Sequence, residues 1–177
     1  MTDSARVRLR PARLDEAELL DEWAASPKVR GEFNDFGEPR GTSYREMLAR
    51  GPLLDDNRGE LVVESIKDAR PIGTIGWHAV WHGPSAGSRA WNFGISLIPE
   101  ARGHGYGVEA QRLIAEHLFA TTNANRVEAS TDVENLAEQR ALEKAGYRRE
   151  GIQRGSQFRG GSHHDLIVYS RLRDDPA

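Results

Sequence analysis

The spacing of hydrophobic residues over the first third of the chain predicts a strand, two helices and a second strand. Val7 to Arg13 has the alternation of a strand, and Asp15 to Ala25 places Leu19, Leu20 and Trp23 on one side of a helix. The elements expected next are a long loop over residues 26–42, a short helix over 43–50 and a strand over 60–67. The loop is rich in glycine and proline yet contains two phenylalanines, which is typical of a lid.

A period of two residues dominates the middle of the chain and predicts two long strands. The first runs from Ile72 to Trp81 and the second from Trp91 to Ile98, with a turn over residues 82–87 between them. Because the intervening turn is short, we expect the two strands to pair as an antiparallel hairpin. Trp77, Trp81 and Trp91 alternate in phase with aliphatic residues and are expected in the core.

The last part of the chain predicts a strand–helix–strand crossover, then a helix and a closing hairpin. The helix after Gly107 carries one apolar stripe and leads into a short strand, which implies a parallel crossover. The expected elements are that helix, with Ala110, Leu113, Ile114, His117 and Leu118 in its stripe, the strand Arg126 to Asp132, the helix Asn135 to Ala145 ended by Gly146, and strands over Tyr147 to Arg154 and Asp165 to Leu172. The pattern predicts the α+β class, with one domain over residues 1–177 built on a single mixed, mostly antiparallel twisted sheet flanked by helices.

Composition narrows the range of partners. A chain of 177 residues supports one domain with a substantial core and leaves no room for a second catalytic domain. A formal net charge of −3 gives little electrostatic support for binding nucleic acid or a membrane, so a small-molecule partner is expected. The lack of cysteine excludes disulfides, a thiolate nucleophile and cysteine-bound zinc. With no signal-peptide core and no apolar run of membrane-spanning length, a cytoplasmic location is expected.

The clearest chemical signal is a glycine-rich turn between the strand that ends near Ile98 and the following helix. Gly103, Gly105 and Gly107 allow consecutive backbone amides to converge on one anion, because no Cβ atoms intervene. The positive end of the helix dipole points to the same place, and Arg102 adds a cation beside it. The turn therefore predicts a pyrophosphate site.

Three kinds of phosphate loop place glycines in this way. A nucleoside-triphosphatase loop requires Gly-Lys-Ser/Thr, which Gly107-Val108-Glu109 lacks. A dinucleotide loop fits Gly105-x-Gly107-x-x-Ala110 with Asp132 after the next strand, and would indicate an oxidoreductase. Its usual setting is a series of parallel crossovers, whereas antiparallel hairpins precede the turn here. The third kind, a coenzyme A loop, agrees better with the rest of the chain.

The residues around the turn resemble the GNAT family of N-acetyltransferases. Arg102-x-x-Gly105-x-Gly107 has the form Arg/Gln-x-x-Gly-x-Gly/Ala with which that family binds the pyrophosphate of acetyl-CoA. The segments Pro99 to Ala110 and Asn135 to Tyr147 are most similar to the branch that acetylates the amino termini of ribosomal proteins. The resemblance is strong from Ile72 to the carboxyl end and weak before it, where the acceptor usually binds.

The resemblance implies the GNAT fold and an enzyme that moves acetyl from acetyl-CoA to a primary amine by direct attack in a ternary complex. The backbone of Ser96, Leu97 and Ile98 would pair with the pantetheine arm, and an N–H near Leu97 would stabilise the oxyanion. Asn135 would contact the same arm. The implied pyrophosphate site consists of Arg102, Gly103, His104, Gly105, Tyr106 and Gly107. Homodimers are common in the branch that the chain resembles.

Two positions depart from the family pattern. Asn92 stands where many members carry a glutamate base, so it can orient a water but cannot take a proton. Glu138 stands where the branch has a serine proposed to protonate the leaving thiolate, and Leu142 where other branches use tyrosine. Helical spacing turns Glu138 toward the packed side, where the cofactor would run. The alternative, which we favour, is a capping box in which Glu138 satisfies the start of the helix that Asn135 opens.

Histidines supply further candidates for proton transfer. An alkyl amine with a pKa of about 10 is protonated at neutral pH, so a base must act on it. His78 and His82 share one strand face, and the adjacent residues His163 and His164 form a second pair. We take His78, with Asn92 and Glu138, as the catalytic candidates. The spacing of these groups fits no usual metal site, so no metal is expected.

The acceptor site is expected in the loop over residues 26–42. Phe33, Asp35 and Phe36 are the candidates, because an acidic residue between aromatic ones would suit a cationic amine. Their alternative role is to pack the loop onto the domain. The acceptor is expected to be a protein amino terminus or a small amine. A non-catalytic acyl-CoA sensor is the alternative function, if the departures at Asn92 and Glu138 have removed the chemistry.

Overall fold

The computed structural model shows one seven-stranded sheet with helices on both faces, and describes residues 5–37 and 41–176. Residues 38–40, which belong to the expected lid, lie outside the described residues. Residues 1–4, on which the prediction of no signal peptide partly rests, also lie outside them. The strands are β1 (Val7–Arg10), β2 (Arg58–Ser65), β3 (Arg70–Trp81), β4 (Arg89–Leu97), β5 (Arg126–Asp132), β6 (Arg148–Arg159) and β7 (Ser162–Leu172). The helices are α1 (Ala17–Ala25), α2 (Pro27–Arg30), α3 (Tyr44–Ala49), α4 (Tyr106–Thr121) and α5 (Leu136–Lys144).

The strands lie in the order β1-β2-β3-β4-β5-β7-β6. All neighbours are antiparallel except β4 and β5, which are parallel and joined through α4. The predicted hairpin of β3 and β4, the crossover and the α+β class with one mixed sheet are therefore confirmed. Among the described residues, no helix has the length and hydropathy needed to cross a membrane.

Several element boundaries differ from the sequence prediction; for example, β2 spans Arg58–Ser65 rather than 60–67. The first strand ends at Arg10 rather than at Arg13, because Pro11 has no N–H to donate to a neighbouring strand. The loop over 26–42 contains a short helix, α2, which begins at Pro27, a residue that favours the first helical position. The closing hairpin is longer than expected, since Gly160 and Gly161, with φ of 59° and 84°, form a tight turn between β6 and β7.

The two faces of the sheet pack against different helices. On one face, called here the α4 face, Ile75 and Phe93 pack in one cluster with Ile114 of α4. On the other, called the α1 face, Val62 packs with Leu20 of α1. Side chains alternate along a strand, so β3 and β4 send every second residue to the α1 face.

The tryptophans expected in the core divide into two groups. Trp77 and Trp91 are buried on the α4 face, as predicted. Trp81 is 55% exposed, so the prediction is wrong for this residue. The reason is its position: it is the last residue of β3, and only the hairpin turn follows it.

Candidate active site

The sheet opens between β4 and β5. These strands are paired only at Trp91 with Val127 and at Asn92 with Glu128. Beyond these pairs, β4 remains paired with β3 and β5 remains paired with β7 to their ends. The facing edges of β4 and β5 therefore separate, and a wedge-shaped gap opens toward the end of β4.

The backbone of Leu97 faces this gap. In an antiparallel pair, the backbone groups of successive residues point to alternate sides of the strand. The Ile98 amide donates to the Ile72 carbonyl at 2.9 Å, so Leu97 directs its own groups to the side from which β5 has departed. The expectation for the two flanking residues needs correction. The same alternation turns the Ser96 backbone toward β3, and the Ile98 carbonyl accepts from the Ala101 amide at 3.0 Å.

The glycine-rich turn lies between the end of β4 and the start of α4. Gly103 and Gly105 both have a φ of +78°, which side chains rarely adopt, and Gly105 is the N-cap of α4. Gly107 has no such requirement, since a Cβ there would make an ordinary contact of 3.6 Å with Leu97. The amides from Gly103 through Val108 donate to no acceptor among the described residues. They and the helix dipole are thus available to an anion.

Arg102 braces the turn and is not directed at the glycine amides. Its Nε donates to the Leu97 carbonyl at 3.0 Å, and its Nη2 donates to the carbonyls of Lys28 and Val29, both at 2.8 Å. The guanidinium therefore ties the turn to β4 and α2, where we had expected a cation beside the anion site. One consequence is that the Leu97 carbonyl already has a donor, and the Leu97 N–H is the group directed into the gap.

The cation next to the glycine turn is Arg6. Its Nη1 donates to the His104 carbonyl at 3.2 Å and would lie 3.1 Å from a Cβ on Gly105. Glu109, in the first turn of α4, orients Arg6: its Oε2 lies 3.5 Å from Arg6 Nε, and its Oε1 accepts from the Arg6 amide at 2.9 Å. The rings of His104 and Tyr106 lie on the turn with centroids 5.9 Å apart.

The capping box expected at the start of α5 forms only in part. Asn135 is the cap: its Oδ1 accepts from the Glu138 amide at 3.2 Å, and its Nδ2 donates to Thr131 Oγ1 at 3.0 Å. The Asn135 amide donates to the Asp132 carbonyl and not to Glu138. The Glu138 carboxylate instead accepts from Gln111 Nε2 of α4 at 2.7 Å. The favoured capping role of Glu138 is therefore wrong, and its predicted turn toward the packed side is observed.

Glu138 is a carboxyl group close to its protonation midpoint at neutral pH. Burial raises the pKa of Glu138 to about 7, and the hydrogen bond from Gln111 opposes this only in part. Gln111 is fully buried, and its Oε1 has no hydrogen-bond partner among the described residues. A protonated Glu138 would supply that partner, because a carboxylic acid and an amide can exchange two hydrogen bonds.

A groove floored by glycines crosses the α1 face beside the gap. Glu60 of β2, Gly76 of β3 and Gly94 of β4 are successive partners across the sheet. A Cβ on Gly94 would meet no atom within 4 Å, so the space above it is open. The next pair along the same strands is His78 with Asn92. The structure therefore brings these two catalytic candidates side by side on the α1 face, at the mouth of the gap.

The groove leads into a cavity of about 250 Å³ under α1 and α3. Thr74 and Ser96, the strand pair next to the two glycines, line both the groove and the cavity. Tyr44 of α3 also lines the cavity, and its hydroxyl donates to Glu60 Oε1 at 2.5 Å. A carboxylate thus stands where the cavity meets the groove.

The three acceptor candidates from the loop have unequal positions. Phe36 lines the cavity and is 53% exposed. Asp35 is paired with Arg30 at 2.9 Å, so its charge is balanced within the loop. The guanidinium of Arg159 covers Phe33, with Arg159 Cζ 5.4 Å from the centroid of the phenyl ring. Phe36 is therefore the one whose ring borders the cavity, and the other two hold the loop in place.

The turn end of the β6–β7 hairpin contacts Asp132, the last residue of β5. Arg159 Nη2 donates to Asp132 Oδ2 at 2.6 Å, and His164 Nδ1 lies 3.4 Å from the same oxygen. Burial acts to raise the pKa of Asp132, but the Glu134 amide, Arg159 and His164 together hold it below its usual value. His164 is thus part of a structural ion-pair cluster, whereas the neighbouring His163 is exposed.

The remaining histidines lie apart from one another. His82 Nε2 lies 2.9 Å from Glu128 Oε2, the β5 residue that pairs with Asn92. His117 packs edge-on against Trp77, and burial lowers the pKa of its imidazole. Within residues 5–37 and 41–176, no group of three or more histidine, aspartate and glutamate side chains is arranged to hold a metal ion.

Several residues that complete the site were not among the sequence candidates, and each meets its partner through a contact between distant segments. They are Arg6, Tyr44, Glu60, Gln111 and Arg159. Only Gln111 had a local signal, since it falls three and seven residues before Ile114 and Leu118 in the apolar stripe of α4. A polar residue in such a stripe indicates a buried hydrogen bond.

Comparison with known sequences identifies the family. The model of the acetyltransferase (GNAT) domain matches residues 6–148. The uncharacterized N-acetyltransferase YoaA of Bacillus subtilis is 31% identical over 102 residues, which is 58% of this chain and 55% of that protein. The chain therefore spans about half the length of this relative in the match.

Solved structures of two acetyltransferases share the fold. The spermidine N-acetyltransferase of Vibrio cholerae, in complex with CoA and spermine, superposes with a TM-score of 0.78 at 19% identity, over 96% of this chain and 97% of that chain. The ribosomal-protein-S5-alanine acetyltransferase of Vibrio fischeri gives 0.77 at 19% identity, over 98% and 96%. The sheet topology and the family match leave no support for the dinucleotide oxidoreductase. The chain belongs to the GNAT family of N-acetyltransferases.

Proposed function

We propose that the protein transfers the acetyl group of acetyl-CoA to a primary amine by direct attack in a ternary complex. The observation that carries this proposal is the separation of β4 from β5, which leaves the Leu97 N–H directed into a gap. A thioester in the gap would place its carbonyl oxygen at this donor, and one such donor stabilises an oxyanion by roughly 3 kcal/mol.

The glycine turn supports CoA as the acetyl carrier. The open amides of residues 103–108 and the dipole of α4 suit a pyrophosphate, and the Arg6 guanidinium adds positive charge at Gly105. The turn follows directly on β4, so a pyrophosphate held there would direct the pantetheine arm along the edge that carries Leu97. The CoA complex of the spermidine N-acetyltransferase, which has the same fold, supports this assignment.

The α1 face supports entry of the amine from the side of the sheet opposite α4. Gly76 and Gly94 leave the sheet bare beside the gap, and the carboxylate of Glu60 attracts a cationic substrate to the same groove. In this proposal Glu60 attracts the amine, a role expected of Asp35 from the sequence, because Glu60 borders the groove.

Proton transfers on the two faces complete the proposed reaction. The ammonium form of the amine first loses one proton to bulk water. The neutral nitrogen then forms a C–N bond with the thioester carbon and passes its surplus proton to His78, directly or through a water held by Asn92. The C–S bond breaks, and the thiolate takes a proton from Glu138, which is partly protonated at neutral pH because burial raises its pKa to about 7. The products are the N-acetylated amine and CoA.

Two acceptor classes follow from different observations. The sequence around Asn135 resembles the branch that acts on protein amino termini, and the solved neighbours include one such enzyme. The cavity of about 250 Å³ beside the groove favours a small aliphatic amine, and the spermidine enzyme is the corresponding neighbour.

Release of free thiol from acetyl-CoA tests the proposal. The purified protein is assayed with spermidine, a simple alkylamine and peptides that begin with alanine or serine, and acetylated products are identified by mass spectrometry. We expect turnover with at least one amine and, for Glu60→Gln, a raised KM for that amine with unchanged CoA affinity. Glu22→Gln, a change at an exposed site on α1, is the matched control. CoA binding by calorimetry without turnover on any amine would instead indicate the non-catalytic sensor.

A further inference from the structure

A second cavity, of about 690 Å³, lies on the α4 face at the far end of the molecule from the glycine turn. Three of the four tryptophans of the chain contribute to its wall, together with the last turn of α4 and residues 121–124. The glycine turn is at the other end of α4, whose 16 residues span about 24 Å. The cavity is therefore separate from the gap, the groove and the anion site described above.

Arg89 contributes a guanidinium to the wall of this cavity. Arg89 is the first residue of β4 and pairs with Trp81, the last residue of β3. Its Cζ lies 4.3 Å from the ring centroid of Trp91 and 6.0 Å from that of Trp81. The guanidinium therefore lies against the ring of Trp91 and near the ring of Trp81, on the wall of the cavity.

None of the guanidinium N–H groups of Arg89 has an acceptor among the described residues. Arg89 makes no ion pair or side-chain hydrogen bond there, and its Nε is buried without a partner. Arg173 lies close by, and its terminal N–H groups, unlike those of Arg89, have nearby backbone acceptors. Its guanidinium donates to the carbonyls of Phe119, Thr122 and Ala124, each at 2.7 Å. Arg89 is therefore a cation that packs beside aromatic rings and whose N–H groups have no acceptor among the described residues.

We propose that this cavity binds a small aromatic carboxylate. The carboxylate would accept two parallel hydrogen bonds from the edge of the Arg89 guanidinium, the geometry that arginine favours with planar anions. The ring would pack among the tryptophans, within a volume typical of sites for small molecules. Asp55 and Asp56 line another part of the wall. Arg58 pairs with Asp55, and the carboxylate of Asp56 would repel a second negative group, so the ligand is a monoanion.

Phenylacetate is a suitable probe, and phenylacetamide is its neutral match in shape. Binding is followed by tryptophan fluorescence, which mainly reports on this cavity, and by calorimetry. We expect phenylacetate to bind at least tenfold more tightly than phenylacetamide and benzylamine. Because the cavity is remote from the glycine turn, saturating CoA should leave the affinity for phenylacetate unchanged. Equal affinity for the three probes, or displacement by CoA, would overturn the proposal.

An arginine substitution tests the residue itself. Arg89→Met keeps an unbranched stem beside the indoles and removes the donors, so phenylacetate should bind at least tenfold more weakly while phenylacetamide is unaffected. Arg149→Met, at an exposed position of β6, is the matched control and should change neither affinity. Unchanged phenylacetate affinity in Arg89→Met would contradict the proposal. If Arg89→Met does not fold, the comparison of the three probes on the unaltered protein decides the question.

Discussion

The glycine turn and the groove on the α1 face are built in different ways. The turn consists of consecutive residues, and its chemistry comes from backbone amides that a local conformation leaves open. The groove is assembled from α3, β2, β3 and β4, and its chemistry comes from side chains that meet only in the folded protein. One half of the site therefore depends on local backbone geometry, and the other depends on the register of the whole sheet.

This difference has a consequence for variation among related proteins. A backbone site tolerates few changes, because a residue other than glycine is strained at the positive φ of Gly103 and Gly105. A side-chain site can change its chemistry one residue at a time without disturbing the sheet. We therefore expect substitutions in the turn to impair acetyl-CoA binding, and substitutions in the groove to alter the choice of amine.

The largest effect is expected from Gly105→Val. Valine is strained at a φ of +78°, and its Cβ would lie 3.1 Å from Arg6 Nη1. The affinity for CoA, measured by calorimetry, should fall by about thirtyfold or more, since 1.4 kcal/mol corresponds to a factor of ten. Gly107→Ala is the matched control, because its φ is not positive and its new contact is ordinary, and its affinity should change by less than about threefold. Equal losses in both variants would show that the turn does not act through its conformation.

A smaller effect, confined to the amine, is expected from Gly94→Val. The new Cβ would enter open space above the groove, with no atom within 4 Å. The kcat/KM for the amine should fall by about tenfold, whereas CoA affinity stays constant. Gly151→Val, where a Cβ would also meet nothing within 4 Å, should behave like the unaltered protein. An unchanged kcat/KM in Gly94→Val would mean that the amine does not cross this groove.

Glu138→Gln tests the carboxyl group that we propose as the proton donor to the thiolate. A thiol with a pKa of about 8.5 leaves readily, so loss of the proton donor should lower kcat by only about fivefold, and the decline of kcat in the unaltered protein above pH 7 should disappear. If kcat and its pH profile are the same in the variant, Glu138 is not the donor.

Glu138→Gln should also change how the free energy of unfolding depends on pH. Burial raises the pKa of Glu138 from 4.5 to about 7, so between these values the folded state retains a proton that the unfolded state has lost. The free energy of unfolding of the unaltered protein must therefore fall as pH rises through this window. Glu138→Gln should match the unaltered protein near pH 4 and exceed it by about 1 kcal/mol at pH 8 in urea unfolding. Exposed Glu134→Gln should show no such difference.

The smallest effects are expected from Arg6→Met and Arg102→Met, and they distinguish a residue that binds the anion from one that stabilises the turn. Arg6→Met should weaken CoA by about threefold to fivefold, because a partly exposed cation contributes about 1 kcal/mol to anion binding. Arg102→Met removes three hydrogen bonds to carbonyls and should lower the free energy of unfolding by about 1–2 kcal/mol, seen as a reduced urea midpoint. A larger loss of CoA affinity in Arg102→Met than in Arg6→Met would restore Arg102 as the anion-binding cation.

The sequence predicts the fold and the turn because both are encoded locally. Hydrophobic periodicity located β3, β4, α4 and β5 in order, and that order requires one parallel crossover. The spacing of Gly103 and Gly105 fixed the turn without reference to any other segment.

The rest of the site lies beyond such patterns. Nothing near Arg6 indicates that it will lie beside Gly105, and Tyr44 meets Glu60 only because α3 packs on β2. The sequence motif correctly marked Arg102, but its side chain found three carbonyls within reach, a choice that depends on where α2 lies. Side-chain roles set by long-range packing are thus the part that local spacing does not determine.

The most direct test of the account is a CoA titration of the ¹⁵N-labelled protein followed by amide NMR. The account predicts that the amides of residues 103–108 and of Leu97 show the largest shifts, while those of Arg89 and Thr121, at the far ends of β4 and α4, stay in place. Saturating shifts around Arg89 and Thr121, with the amides of residues 103–108 and Leu97 unmoved, would contradict it.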